Sequence, residues 1–530
     1  MRGTGAQTHG RTVTARTGAP AHWRTVIALR ALLLCACCVC AFVRLAAAQQ
    51  CPDGTPAPCA RSGAAAPARS VAVLTFENLT RDTSAQYLAE GLPDQILARL
   101  GGVERLTVVS RTVVRRLRNA DQLSVQQIGR ALNVAFLVNG TIRAAGGRVR
   151  LQVEALRAGS GEAIWSRTFD RAADSLLGIE EAVASEVAAG VAGRLSPQEQ
   201  HALGSRVTAD SRAYDQFVLG NFLLARRTPA SLQGAIAAYR AATAADSGMA
   251  DAYARLAYAY ALCALWACSG DADSLQLHAR EAATRALRLN PRSSDAWMGR
   301  AYLLTVWSLN FGMFPDDSLL AALAAFRRAL ELNPRNDEAW HQYGSTLGAV
   351  SDSASLDALR RALAVDPARA ITYTDLALTY YRMGRNDRAR SMADSAVALE
   401  PDGPFRSVRV LFRLTAGDTA GAVADARLTP SGFCSLAVLA AIAHDSAAVR
   451  AVEAMGTQSV CGGSYPLNRV LYLMWTGRHE QAVQYFVKCG PSLSMRWRVR
   501  LLVLAPLAED PRIQALRAES ERILARARWR

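Results

Sequence analysis

The sequence predicts a small α/β domain with a mixed sheet, followed by a long all-α solenoid of helical hairpins. Two observations support this prediction. Short apolar runs alternate with helical patterns between residues 70 and 195, and Gly-rich turns separate them. Later in the chain, a motif ending in proline recurs at intervals of 33 and 34 residues. With 530 residues, 51% hydrophobic and 20% charged, the chain has a globular composition and room for more than one core.

Residues 1–48 have the composition of an export signal. They contain six arginines and no acidic residue, and an apolar run of 13 residues covers positions 31–43. The stretch Leu45-Ala-Ala-Ala48 follows and suits cleavage before Gln49. The apolar run is shorter than the roughly 20 residues of a membrane-spanning helix. We therefore expect a cleaved signal peptide, with a membrane anchor as the alternative. Both place the rest of the chain in the periplasm or cell envelope.

Charge bears on the possible partners, and the cysteines bear on possible disulfides. The formal charge of +16 invites a nucleic-acid interpretation, but nearly every basic residue is arginine, and Lys488 is the one lysine. The arginines are interspersed with acidic residues, as on a solvated face, so no nucleic-acid partner is expected. Seven cysteines follow the leader, and an oxidising compartment would permit disulfides. The candidate pairs are Cys51–Cys59, within a Pro/Ala-rich linker at 49–69, and Cys434–Cys461.

The elements between residues 70 and 195 follow the order β-α-β-α-α-β-β-β-α. The expected strands cover residues 70–76, 106–109, 135–143, 148–154 and 164–169, and the expected helices cover 84–100, a pair ending near 125–132, and 179–195. Gly146-Gly147 is the turn of a hairpin. Residues 148–154 alternate between apolar and polar, which predicts a strand with one wet face.

Several strings in this region form an ordered set of landmarks. They are Val71-Ala-Val-Leu with Phe76-Glu-Asn-Leu79, Tyr87-x-x-Glu90-Gly91-Leu92, Val108-Val-Ser-Arg111, Ile128-Gly129 with Leu132, Leu137-Val-Asn-Gly-Thr-Ile-Arg143, and Gly161-x-x-Ile164-Trp165. Together they resemble the TolB amino-terminal-like domain family, which is related to the FlgO type. That family commonly sits outside the membrane before tetratricopeptide (TPR) repeats, and often follows a kinase, cyclase or winged-helix module. Here about 24 residues precede the apolar run, so the resemblance implies an envelope sensor or adaptor part without catalytic residues.

The repeat motif defines the second region, with a linker expected at 196–212. The motif recurs as Leu289-Asn-Pro291, Leu332-Asn-Pro334, Val365-Asp-Pro367 and Leu399-Glu-Pro401. An aromatic residue stands six positions after each of the first three prolines (Trp297, Trp340 and Tyr373). A small residue stands ten positions after the same prolines (Ala301, Gly344 and Ala377). This pattern is similar to TPR repeats, which form a right-handed superhelix. Clear repeats are expected over 213–401 and divergent ones over 402–490, with an insertion near 310–316 and the last unit reaching residue 530.

The concave face of such a solenoid is its usual binding surface. Extrapolating the repeat register gives seven candidate groove residues: Tyr258, Met298, Tyr302, His341, Ser345, Tyr381 and Arg382. Tyr258, Tyr302, His341 and Tyr381 are expected to form one exposed aromatic strip, whereas Trp340 is expected in the core between repeats. The alternative is that some groove candidates pack between repeats. The Lys and Asn residues of the TPR subclass that clamps carboxylate tails are absent.

The sequence contains no recognised catalytic, cofactor or metal motif. There is no phosphate loop, no His-Glu-x-x-His and no nucleophile elbow, and Cys263 and Cys268 lack zinc-ligand spacing. We therefore predict a non-enzymatic scaffold or sensor accessory that binds a protein or peptide in the TPR groove, with envelope or membrane signalling proteins as further partners. The alternatives are the detached sensory half of a kinase or cyclase receptor and, less favoured, a transcription regulator.

Overall fold

The computed structural model describes most of the chain after residue 65. The described ranges are 66–80, 86–110, 113–114, 123–172, 178–204, 206–265, 268, 272–306, 317–401, 403–429, 434–455, 465–489 and 506–528. The predicted export signal, the Cys51–Cys59 pair, Cys461 and the insertion near 310–316 lie outside the described residues.

A mixed sheet forms the centre of the first region, as predicted. Its strands are β1 Ser70–Val73, β2 Glu77–Asn78, β3 Thr107–Val108, β4 Phe136–Ala145, β5 Arg148–Arg157 and β6 Ala163–Ala172. The strand order is β3-β1-β4-β5-β6, and β2 pairs with the second half of β4. The strand β1 runs parallel to β3 and β4, whereas β4, β5 and β6 are antiparallel neighbours.

The hairpin between β4 and β5 confirms the expected turn and wet face. Gly146 and Gly147 have φ of 57° and 72°, which only glycine adopts readily and which suit a two-residue turn between twisted strands. Along β5, the side chains of Val149, Leu151 and Val153 are buried and those between them are exposed. One face of this strand therefore contributes to the core and the other meets solvent.

Helices cover both faces of the sheet near β1. They are α1 Gln86–Gly101, α2 Val125–Leu132, α3 Ile179–Ala192 and α4 Pro197–Gly204. The helices α1 and α3 share a core with one face of the sheet, whereas α2 packs against the other face. The helix α4 lies inside the linker expected at 196–212, where Glu199 accepts two hydrogen bonds of 2.8 Å from Arg105. The segment after α3 is thus joined to the α/β domain.

The rest of the chain is a TPR solenoid of eight described hairpins and a final helix. Repeats 1 to 4 are α5 Ser211–Leu224 with α6 Pro229–Ala245, α7 Ala250–Leu265 with α8 Ala272–Leu289, α9 Ser294–Thr305 with α10 Asp317–Leu332, and α11 Asp337–Leu347 with α12 Asp352–Val365. Repeats 5 to 8 are α13 Ala370–Arg382 with α14 Asn386–Leu399, α15 Arg406–Thr415 with α16 Thr419–Leu428, α17 Ser435–Ala441 with α18 Ser446–Ala454, and α19 Tyr465–Trp475 with α20 His479–Lys488. The final helix is α21 Pro511–Arg528.

The recurring proline motif marks the ends of second helices. The helices α8, α10, α12 and α14 end at the apolar residue two positions before the motif proline. The small residues of the pattern permit close packing within repeats: a Cβ on Gly344 would lie 2.8 Å from Cγ of Leu359. Ala301 and Ala377 are likewise fully buried. The sequence pattern therefore reports real helix boundaries and helix contacts.

The motif aromatics are less buried than expected, and each also makes a hydrogen bond to a turn. Trp297, Trp340 and Tyr373 are only half-buried. Each donates a hydrogen bond of 2.9 to 3.0 Å to the carbonyl of the proline six residues earlier. The expectation that Trp340 lies in the core between repeats holds in part: its half-buried ring packs against that core and also covers the turn that joins two repeats. At each of these three positions the ring carries an N–H or O–H donor that reaches the turn.

The described cysteines correct one predicted pairing. Cys434 carries a free, buried thiol, so the Cys434–Cys461 pair is wrong. Its surroundings are apolar side chains of repeats 6 and 7, and burial raises the pKa of this thiol to about 12. Cys263 and Cys268 form a disulfide at the end of α7, and Cys489 is also disulfide-bonded.

Residues 66–530 form one compact unit. Among the helices in the part of the chain that the structure describes, none combines the length and the apolar character that crossing a bilayer requires.

Candidate functional site

The structure places most of the predicted groove residues in the interior. Tyr258, Met298, Tyr302, His341 and Tyr381 are each 5% exposed or less. The expectation of an exposed aromatic strip is therefore wrong, and these side chains pack between repeats. Ser345 is exposed, whereas the side chain of Arg382 is buried and its Nε donates to Asp352 at 2.7 Å.

Close packing of first helices explains this burial. The helix α7 is buried on nearly all sides, as expected for a helix that is apolar all round. The ring of Tyr258 meets the ring of Tyr302 edge to face, with 5.0 Å between centroids. Tyr381 packs in the same manner on Phe412 of α15, at 5.4 Å. The curvature of the solenoid thus brings side chains of successive first helices into contact.

A charged cluster lies beside these tyrosines, and we call it the Glu338 cluster. It consists of Arg227, Tyr258, Glu338, Gln342 and Arg369. Tyr258 Oη and Gln342 Nε2 donate to Glu338 Oε1 at 2.5 and 2.9 Å. Arg227 Nη2 donates to Glu338 Oε2 at 2.6 Å, and Arg369 Nη2 donates to the same oxygen. One carboxylate thereby joins repeats 1, 2, 4 and 5.

The electrostatics of the cluster favour an ionised Glu338. Burial by itself raises the pKa of this carboxyl, but the guanidinium groups of Arg227 and Arg369 outweigh burial and hold the pKa well below its usual value. The side chains of Arg227, Glu338 and Arg369 keep 23%, 14% and 13% of their surface exposed. The cluster therefore lies at the base of a surface that solvent still reaches.

A second polar pair adjoins the cluster on repeats 4 and 5. His341 Nδ1 lies 3.2 Å from Thr372 Oγ1, and its Nε2 lies 3.8 Å from Asp375 Oδ2. Burial lowers the pKa of His341 well below its usual value, so the ring is neutral at pH 7. Burial also raises the pKa of Asp375 to about 6, although the hydroxyl of Ser345 hydrogen-bonds this carboxyl. Among His341, Thr372, Asp375 and Ser345, the side chains that solvent reaches are those of Asp375 and Ser345.

Sequence reasoning missed the charged members of this face. Arg227, Glu338, Arg369 and Asp375 have no distinctive spacing, because their partners lie on other repeats. The register did place Tyr258 and His341 on first helices beside them. A contact between residues separated by 111 positions, such as Arg227 with Glu338, leaves no local signal in the sequence.

A basic recess occurs on the rim of the solenoid. A cavity of about 630 Å³ lies where the turn of repeat 5 meets the end of α15, and Arg385, Arg388 and Arg390 line it. Arg390 is paired with Asp387 at 2.5 Å, and Arg388 lies over the ring of Tyr380. Within the described ranges, no group of three or more His, Cys, Asp or Glu side chains could hold a metal ion.

The sequence comparisons cover part of the chain. No protein-family model matches it. A curated protein of Rhizobium meliloti (strain 1021), named "Putative adenylate cyclase 3", is 25% identical over 187 residues. The match covers 35% of this chain and 32% of that protein, so the chain spans about a third of the length of the curated relative it matches.

Several solved structures, among them a TPR protein and one named TolB, are similar to the chain at low TM-scores. A thermophilic TPR protein of Thermus thermophilus has a TM-score of 0.32 and 19% identity, over 38% of this chain and 98% of that one. PilF of Pseudomonas aeruginosa has a TM-score of 0.30 and 16% identity, over 52% and 98%. TolB of Acinetobacter baumannii has a TM-score of 0.20 and 15% identity, over 26% and 31%. At these scores, the TPR assignment rests on the repeats of the chain itself.

Proposed function

We propose that this protein is a non-enzymatic interaction scaffold or sensor accessory of the bacterial cell envelope. In this proposal, the concave face of the solenoid binds a peptide or protein. The observation that carries the proposal is the stack of eight described hairpins, whose first helices and turns bring polar groups of several repeats to one face. Solenoids of this kind present such surfaces to extended partners.

The reachable part of this face suggests where a partner docks. Ser345 is exposed, Asp375 keeps 19% of its side chain exposed, and the Glu338 cluster lies next to them. A peptide crossing repeats 4 and 5 would meet hydroxyl, carboxylate and guanidinium groups. Its recognition would therefore depend on hydrogen bonds and paired charges more than on an aromatic strip.

The envelope location is supported by two features. The leader has a basic start, a short apolar run and a small-residue exit. Cys263–Cys268 and Cys489 are disulfide-bonded, which is common in oxidising compartments. The resemblance of residues 70–195 to the TolB amino-terminal-like family, and the β-α-β order with a mixed sheet, support a sensor or adaptor role for the first domain.

A pair of serine substitutions tests the docking face. Ser345 and Ser353 are both exposed, and they lie on the first and second helix of the same repeat. We expect Ser345→Arg to weaken capture of a partner from envelope extract by at least about tenfold, because the new side chain obstructs the concave face. Ser353→Arg should leave capture unchanged. Equal capture by both variants would show that the partner binds elsewhere.

A second candidate function is the detached sensory half of a cyclase or kinase receptor. The 187-residue similarity to the Rhizobium meliloti protein favours it. Here the chain would act by docking to a separate enzyme. Mixing the purified chain with a purified bacterial adenylate cyclase and measuring cyclic AMP tests this function. Cyclic AMP formed by the chain alone would overturn the non-enzymatic proposal.

A further inference from the structure

The first helix of the solenoid packs tightly on the α/β domain. A Cβ on Gly91 of α1 would lie 2.4 Å from Val218 Cγ1 of α5, so these helices approach as closely as glycine allows. Tyr87 of α1 donates a hydrogen bond to Asp215 of α5. Behind this contact, Arg99 forms a buried ion pair of 3.0 Å with Glu180 of α3.

The α/β domain also touches the solenoid at a second, distant place. Ser110, just after β3, donates through Oγ to Asp366 Oδ1 at 2.7 Å. Arg335 Nη1 donates to the carbonyl of Gly101, at the end of α1, at 3.4 Å. Arg335 precedes α11 and Asp366 precedes α13, so these contacts reach the junctions before repeats 4 and 5.

A third contact lies inside the solenoid and joins repeat 1 to repeat 4. Arg227 stands in the turn of repeat 1 and reaches Glu338 of repeat 4. The contacts therefore form a ring from the α/β domain through α5 and Arg227 to repeat 4, and back through Gly101. Two sets of contacts therefore act on the curvature of repeats 1 to 5: Arg227 with Glu338 inside the solenoid, and the α/β domain, which bridges α5 to the junctions before repeats 4 and 5.

We propose that the α/β domain is a latch that keeps repeats 1 to 5 in their closed curvature. In the closed state, the rings of Tyr258 and Tyr302 and the Glu338 cluster are held between first helices. Releasing Ser110 and Gly101 from the repeat junctions lets these repeats open, which exposes the two rings and the paired charges to a partner. This inference concerns regulation of the face described under the proposed function, and it rests on that function only for its biological role.

The contacts of Ser110 and Arg335 can be removed by substitution without disturbing the core. Ser110 and Arg335 each contribute one hydrogen bond across the contact with the α/β domain, and neither is a core residue. Asp366 also accepts a hydrogen bond from the backbone of Ala368, so it is left intact. The double variant Ser110→Ala/Arg335→Ala thus breaks the ring without opening a cavity.

The experiment is hydrogen–deuterium exchange of the full chain, read by mass spectrometry without any partner. We expect Ser110→Ala/Arg335→Ala to raise exchange in α7 and α11 by at least about fivefold, since local opening limits exchange there. Exchange in α19 and α20, in repeat 8, should not change. The control is Thr243→Ala/Arg328→Ala, which removes a hydroxyl and an arginine with partners only on their own helices.

The outcomes are distinct. Faster exchange in α7 and α11 with an unchanged repeat 8 supports the latch. Wild-type exchange in α7 and α11, in a variant that keeps its cooperative unfolding, overturns it. Faster exchange across all repeats also overturns it, because the contacts would then serve general stability. Capture by the Ser345→Arg variant is measured separately, so failure of the latch is distinguishable from failure of the docking face.

Discussion

The inner face of the solenoid and its outer junctions use aromatic residues in opposite ways. On the inner face, Tyr258 and Tyr381 are buried between first helices. At the junctions, Trp297 and Trp340 are half-buried, and each closes a turn by a hydrogen bond to a proline carbonyl. The junction residues follow the repeat because each needs only its own turn. The inner residues do not, because they depend on how strongly the solenoid curves. A regular repeat in a sequence therefore predicts local turn geometry more reliably than it predicts which side chains are buried.

The largest expected effect is on the inner face. Tyr381→Ala should lower the free energy of unfolding by about 3–5 kcal/mol, because a fully buried ring packed on Phe412 leaves a cavity. Trp340→Ala should cost less, about 1–3 kcal/mol, since its ring is half-exposed. Urea unfolding at pH 7 measures both. An equal or larger loss for Trp340→Ala would mean that the two aromatic sets have been assigned the wrong roles.

The next effect concerns the Glu338 cluster. Glu338→Ala should cost about 2–3 kcal/mol, because Arg227 and Arg369 then remain partly buried without their shared carboxylate. The matched control is Asp387→Ala, which removes an exposed carboxylate paired with Arg390 within one helix and should change stability by no more than about 0.5 kcal/mol. Similar losses in both variants would argue against a cluster that joins repeats.

The pH dependence of stability tests Asp375 on the same face. Burial raises the pKa of Asp375 from an ordinary value of 3.8 to about 6. Between these pH values the folded state binds more protons than the unfolded state, so this group lowers stability as pH rises from about 4 to about 6. Asp375→Asn removes the loss, and the variant should gain about 2 kcal/mol relative to wild type over that window.

Chemical unfolding at pH 4, 5 and 6 measures this gain. Burial also raises the pKa of Asp251 in repeat 2 to about 6, so Asp251→Asn should show a trend of the same sign. Glu338 contributes in the opposite sense. Its pKa in the folded state is well below the ordinary value of 4.5, so its stabilisation is complete above that value and is lost progressively as pH falls from about 4.5 toward the folded-state pKa. A pH-independent difference for Asp375→Asn would contradict the assignment.

The smallest effect is at the junctions. Trp340→Phe keeps an aromatic ring but loses the N–H that donates to the Pro334 carbonyl at 2.9 Å, so we expect a loss of about 1 kcal/mol. Tyr373→Phe removes the equivalent hydrogen bond to Pro367 and should behave alike. Thermal unfolding of the two variants provides the comparison. Unchanged stability in both would mean that the ring alone, without its donor, closes the turn.

Much of the fold could be predicted because its turns and helix ends depend on residues close together in the sequence. The turn at Gly146-Gly147 follows from the need for positive φ, and the end of α10 at Leu332 precedes a proline that cannot continue the helix. The candidate site could be predicted only in part. Register placed Tyr258 and His341 on the correct helices, but it assigned them to solvent. The free thiol of Cys434 likewise depends on a core assembled from two repeats.

The sequence by itself determined the α/β domain, the repeat period and the positions of the hairpins, because these depend on interactions within one turn of chain or one repeat. Only the tertiary structure decided which side chains the hairpins bury. The contact of Arg227 with Glu338, and that of Ser110 with Asp366, join residues 111 and 256 positions apart. Such contacts depend on curvature accumulated over several repeats, and a small change in the angle between neighbours would separate them.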